Sequence, residues 1–200
     1  MEDAREFYQH ELRSNPLGEK SILELRYVKN ANIGDARTLE DCGFTLCIDL
    51  FTYWFYEKET LKTLLDNPII PWKVCDLSRV FQERCDDGNG SEARTHLDHV
   101  LRPGNESGQI EEDLERDVGQ EIAQALGKLG FETLESVFTY WHYEPEELLK
   151  VLTENGQISS AHRLFNRFQQ MKHENRELAW KHLDSLLRKR TVFISHLLVQ

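Results

Sequence analysis

One stretch of this chain occurs twice, and it constrains the fold more than any other feature. Phe51-Thr52-Tyr53-Trp54, followed by Tyr56-Glu57, returns 87 residues later as Phe138-Thr139-Tyr140-Trp141, followed by Tyr143-Glu144. Gly43-Phe44 pairs with Gly130-Phe131 at the same spacing, as do Leu39 with Leu126, Leu61 with Leu148, Leu65 with Leu152, Leu77 with Leu164, and Phe81-Gln82 with Phe168-Gln169. One residue slips in the polar run from Asp86 to Ser91; beyond it His96-Leu97-Asp98 and Leu101-Arg102 match His182-Leu183-Asp184 and Leu187-Arg188. The expectation is a tandem duplication of one compact module of roughly 85 residues. A motif essential to such a module should stand in both copies.

The spacing of apolar residues is helical throughout, so the fold class expected is all-α: two tandem duplicated helical bundles. Residues 44–56 and 131–143 place Leu50, Phe51 and Trp54, and their counterparts, three and four apart, which predicts a buried central helix in each copy with its aromatics in the core. Short amphipathic helices follow over 57–65 and 144–152, the second with Pro145 in its first turn. Further helices are expected over 72–85, 92–102, 161–172 and 176–190. Asp35 and Asp117 open helices that Gly43 and Gly130 close. Residues 2–14 read as a helix, 21–28 as a helix in preference to a strand, and 192–199 as an apolar segment docking back on the bundle. The domain expectation is an N-terminal helical extension over 1–24, a first module over 25–103, a linker over 104–110 and a second module over 111–200 with a basic tail.

Charge narrows the partners. The chain of 200 residues carries a net −11, yet residues 161–200 hold eight Lys or Arg against three Asp or Glu. So acidic a chain is a poor match to nucleic acid in general, although the basic tail leaves a helical nucleic-acid binder as an alternative. No apolar run approaches the roughly 20 residues of a membrane span, so no membrane partner is expected and the cytosol, or the nucleus, is the expected compartment. Cys42, Cys47, Cys75 and Cys85 all lie in the first copy, facing Leu129, Leu134, His162 and Lys172 in the second, so free, partly buried thiols are expected rather than a disulfide or zinc site.

The sharpest catalytic candidate is His96-Leu97-Asp98-His99, a His-x-Asp pair with a further His as in non-haem iron enzymes. That chemistry needs a β-scaffold, and on a helix His96 and Asp98 diverge. The pair also recurs as His182-Asp184 inside an amphipathic run. No phosphate loop, nucleophile elbow or Cys/His pair appears. No catalytic, cofactor or metal residue is assigned, and a metal-dependent enzyme using His96 and Asp98 stays as an alternative.

Residues Leu148 to Ser160, followed by Leu164, Phe165 and Phe168, form an apolar helix, an acidic residue, Asn-Gly, an aliphatic and a serine-capped next helix. This resembles the fourth-to-fifth helix junction of death-effector domains, and two such modules in tandem are similar in architecture to the FLICE-inhibitory proteins. The resemblance implies six-helix bundles that act by charge-complementary helix-face contacts with no catalysis of their own. The functional expectation is a non-catalytic protein-interaction or regulatory protein with a protein partner. Its candidate contact residues are Arg163, Arg167, Arg188, Lys189 and Arg190 on the basic side and Glu111, Glu112, Asp113 and Glu115 on the acidic side.

Overall fold

The computed structural model describes residues 17–18, 20–27, 33–65, 71–88, 90–103, 115–116, 118–156 and 158–188. They form a short 3-10 helix, Ile22–Tyr27, and nine α-helices: α1 Ile33–Asp41, α2 Cys47–Tyr56, α3 Lys58–Leu65, α4 Pro71–Gly88, α5 Ser91–Leu101, α6 Gln120–Lys128, α7 Leu134–Tyr143, α8 Pro145–Glu154 and α9 Ile158–Leu187. Among the described residues there is no strand, only an isolated antiparallel bridge between Ser21 and Leu46. The class is all-α. The expected helix over 2–14 and the apolar segment 192–199 lie outside the described residues.

The chain divides into two compact units that are not consecutive in sequence. The first comprises residues 1–54, 58–89 and 185–200, the second residues 55–57 and 90–184. Thus α5 belongs to the second unit, whereas the last turn of α9 belongs to the first.

In the first unit, α1 ends where Gly43 takes φ 98, a left-handed value that costs glycine nothing. Gly43 N then donates to Glu40 O and Phe44 N to Leu39 O, closing the helix end and turning Phe44 into the core at 0% exposure. Phe44 meets Tyr53 edge-on at 5.5 Å, and Phe51, Trp54 and Phe81 form a three-ring cluster with centroids 5.1 to 6.2 Å apart. Edge-to-face and offset rings at such separations add to what burial of their area contributes. Within the Ser21–Val28 segment the described residues form the 3-10 helix Ile22–Tyr27, held by Ile22 N donating to Thr45 O at 2.9 Å and Cys47 N to Lys20 O at 2.8 Å.

The second unit builds the same arrangement from residues 87 positions on. Gly130 has φ 91, Phe131 N donates to Leu126 O at 3.0 Å, and Phe131 meets Tyr140 edge-on at 5.4 Å. Phe138, Trp141 and Phe168 cluster with centroids 5.2 to 5.8 Å apart. Trp54 and Trp141 are both 5% exposed, so each packs as core. Thr52 and Thr139 are also buried, at equivalent places beside the two aromatic clusters. At α7 the start is capped by Thr133, whose Oγ1 accepts from Ser136 N at 3.0 Å.

Three helix boundaries depart from expectation. Asp35 sits in the first turn of α1 instead of capping it, and α6 starts at Gln120, because Gly119 (φ 86) interrupts the run from Asp117. The separate helices expected over 161–172 and 176–190 are one, α9, 30 residues and about 45 Å long. In the first half of the chain Gly88 and Gly90 end the matching run, with Gly90 in the left-handed region at φ 67; the second half has His173-Glu174-Asn175-Arg176, with neither Gly nor Pro to stop the helix.

Candidate functional site

A cleft of about 280 Å³ lies in the second unit over α5, α7 and α8, lined by Arg94, Thr95, Asp98, Arg102, Tyr140, Glu144 and Glu147. Each element delivers its residues by helical spacing. Arg94, Asp98 and Arg102 stand four apart on α5 and its C-cap, one above the other, beside the stripe of Ala93, Leu97 and Leu101 that is held in the core. Tyr140 comes from α7, and Glu144 caps the junction of α7 and α8.

These side chains pair with one another. Arg102 forms an ion pair with Asp98, donates from Nε to the Leu129 carbonyl at 2.7 Å, and lies 5.5 Å over Phe131 and 5.9 Å over Tyr140. The Tyr140 hydroxyl donates to Asp98 Oδ1 at 3.1 Å; burial, then the Asp98 charge, push its acidity down to a pKa of about 12. Arg94 Nε lies 3.2 Å from Glu144 Oε1, which also accepts from the Tyr56 hydroxyl at 2.7 Å. A reciprocal bond runs from the Tyr143 hydroxyl to Glu57 Oε1, also 2.7 Å, and the rings of Tyr56 and Tyr143 meet at 5.1 Å. Burial and the Glu144 carboxylate raise the Tyr56 pKa far beyond the ordinary phenol range, so it remains a donor. Arg94, Asp98, Arg102, Tyr140 and Glu144 are thus each paired with another side chain of the second unit.

Asp98, the carboxylate of the metal alternative, is thus engaged by Arg102 and Tyr140. Among the described residues no group of three or more His, Cys, Asp and Glu side chains is placed to hold a metal ion. The equivalent His182 sits between Ser136 and Glu135: its Nε2 is 3.2 Å from Ser136 Oγ and its Nδ1 3.9 Å from Glu135 Oε2. Burial lowers its pKa, outweighing the exposed Glu135. The folded state therefore binds fewer protons at this ring than the unfolded chain, whose imidazole titrates near about 6.5. Stability is full above that pH and is lost as pH falls through the lowered folded value. Urea unfolding at pH 7.5 and pH 5 is expected to show a decline that His182→Gln reduces; an equal decline in the variant would contradict the assignment.

Of the residues the sequence suggested for contact, Arg163 and Arg167 are exposed one turn apart on α9, whose Ala161, Leu164 and Phe168 are buried. Glu115 is exposed as well. Arg188 is half-buried, with Nε donating to the Cys42 carbonyl at 2.7 Å and its guanidinium 5.9 Å from Phe44. Glu111, Glu112, Asp113, Lys189 and Arg190 lie outside the described residues. Cys42, Cys47 and Cys85 form no disulfide among the described residues. Arg94, Arg102, Tyr140 and Glu144 were not singled out by sequence as a site, although Tyr56-Glu57 and Tyr143-Glu144 stood out as the same polar pair occurring twice.

No helix of the described residues is long and apolar enough to cross a membrane. No protein-family model, curated protein or solved structure matches the chain.

Proposed function

We propose that the chain is a non-catalytic protein-interaction or regulatory protein of the cytosol, built by duplication of one helical module, and that it captures a protein partner through charged helix faces. The observation that carries this reading is the pair Arg163 and Arg167. Both project from α9 into solvent, while the buried residues on the same helix fix their direction. On a chain of net charge −11, an exposed arginine pair steers an acidic helix or loop toward one face and away from the rest.

The self-satisfied cleft supports the non-catalytic half of the reading, and the like clusters around Trp54 and Trp141 support the duplication. The death-effector resemblance points to the same chemistry, charge-complementary contact between helix faces. Arg163→Glu with Arg167→Glu is expected to reduce partner capture from a native extract about tenfold or more, with the melting temperature within a few degrees of the parent. Equal capture at equal stability would remove these residues from the interface.

A further inference from the structure

The run His-Leu-Asp-x-x-Leu-Arg occurs at His96–Arg102 and again at His182–Arg188, and neither the cleft nor the Arg163 face accounts for its recurrence. In both places the leucines are core: Leu97 and Leu101 are 0% exposed, Leu183 0% and Leu187 1%. In both places the arginine ends the helix and donates from Nε, at 2.7 Å, to the carbonyl of the residue before a left-handed glycine: Arg102 to Leu129, Arg188 to Cys42. Each guanidinium also lies over the phenylalanine after that glycine, Arg102 at 5.5 Å from Phe131 and Arg188 at 5.9 Å from Phe44. Cys42 and Leu129, like Phe44 and Phe131, are 87 apart, so the two receptors are equivalent.

The assignment of arginine to receptor is crossed. Arg102, from the first sequence copy, docks on the second copy's Gly-Phe helix end, and Arg188, from the second, docks on the first copy's. The receptor chemistry is specific for such a helix end. The carbonyls that close α1 and α6 carry the negative end of the helix dipole, and an aromatic face beside them favours a planar cation.

We propose that His-Leu-Asp-x-x-Leu-Arg is a docking motif whose receptor is the Gly-Phe helix end of another copy of the module, so that the partner it fits is a second copy of this chain. Within one chain the two copies complete each other. Between chains, the same pair of contacts forms when a first half from one molecule meets a second half from another. This does not depend on the Arg163 face: partner capture can fail there while the docking holds, and the reverse.

The test uses the full-length protein with a protease site placed in the polar stretch 104–110 and cut after folding. The two pieces are expected to co-elute in gel filtration and to be retained together by a tag on either one. Mixing two cut preparations that carry different tags, then warming and cooling through the reversible part of the melt, is expected to yield hybrid pairs. Arg102→Glu with Arg188→Glu should keep the helical circular dichroism of the uncut chain and weaken the association of the cut pieces at least tenfold. Should that variant not fold, Arg102→Gln with Arg188→Gln repeats the comparison without a buried anion. Separation of the unmutated pieces, absence of hybrids, or unchanged association in the folded variant would each overturn the proposal.

Discussion

Phe168→Ala is expected to lower the free energy of unfolding by about 3–5 kcal/mol, the largest loss from any single side chain discussed above. Phe168 is fully buried and touches both Phe138 and Trp141, with ring centroids 5.2 and 5.4 Å away, so removing it deletes two aromatic contacts and leaves a cavity between helices already fixed by their neighbours. Phe81→Ala empties the corresponding place against Phe51 and Trp54 and should cost a similar amount. Gln169→Ala, one residue along and exposed, should change stability by no more than about 0.5 kcal/mol. Urea unfolding followed by circular dichroism measures all three. A loss under about 1 kcal/mol for Phe168→Ala would mean that α9 does not close the core of the second unit. With total stabilities commonly about 5–15 kcal/mol, the expected loss is a large fraction of the whole.

Gly90→Ala is expected to cost about 2–4 kcal/mol, nearly as much for the addition of one methyl group. Two effects combine. Gly90 has φ 67, a conformation that strains any residue with a side chain, and a Cβ there would lie 2.2 Å from Phe55 Cε2 and 2.6 Å from its Cζ. Phe55 has little room to yield, since its ring meets Tyr56 at 4.9 Å and the Arg94 guanidinium at 5.8 Å. Because Gly90 starts α5, the strain falls on the helix that carries Arg94, Asp98 and Arg102. Gly18→Ala, where nothing lies within 4 Å of the added carbon, serves as the comparison and should be close to neutral. Equal melting temperatures for the two variants would show that the α4–α5 turn tolerates rearrangement.

The parts of the fold that sequence made readable are those where one residue type has one physical use. Phe51 and Trp54, or Phe138 and Trp141, at three-residue spacing within apolar runs fit only a buried helix, and Gly43 and Gly130 before a phenylalanine fit only a helix end. Composition was a poorer guide around residues 172–176, where a polar run looks like a loop although no residue in it stops a helix. Helices continue through polar residues when flanking turns are packed, and Leu164, Phe168, Ala179 and Leu183 supply that packing. The Ser21–Val28 segment was ambiguous for a different reason, since the bonds that hold its start join Ile22 and the neighbouring Lys20 to Thr45 and Cys47, more than 20 positions along the chain. The cleft was legible only as a repetition. Nothing in the spacing of Arg94, Asp98 and Arg102 announces Tyr140 and Glu144 as partners, because those contacts span 42 and 50 positions of chain.

Cys47 is wholly enclosed, its thiol donating to the Ser21 carbonyl at 3.2 Å, and burial pushes its pKa to about 12. At neutral pH the sulfur is therefore held as the thiol, whereas the thiolate is the form that reacts with alkylating agents. Modification at this sulfur therefore waits for the Ile22–Tyr27 turn and the start of α2 to come apart. The sulfur is in effect a clock fastened inside the first unit: its labelling rate, read against time in native buffer, counts how often that corner opens.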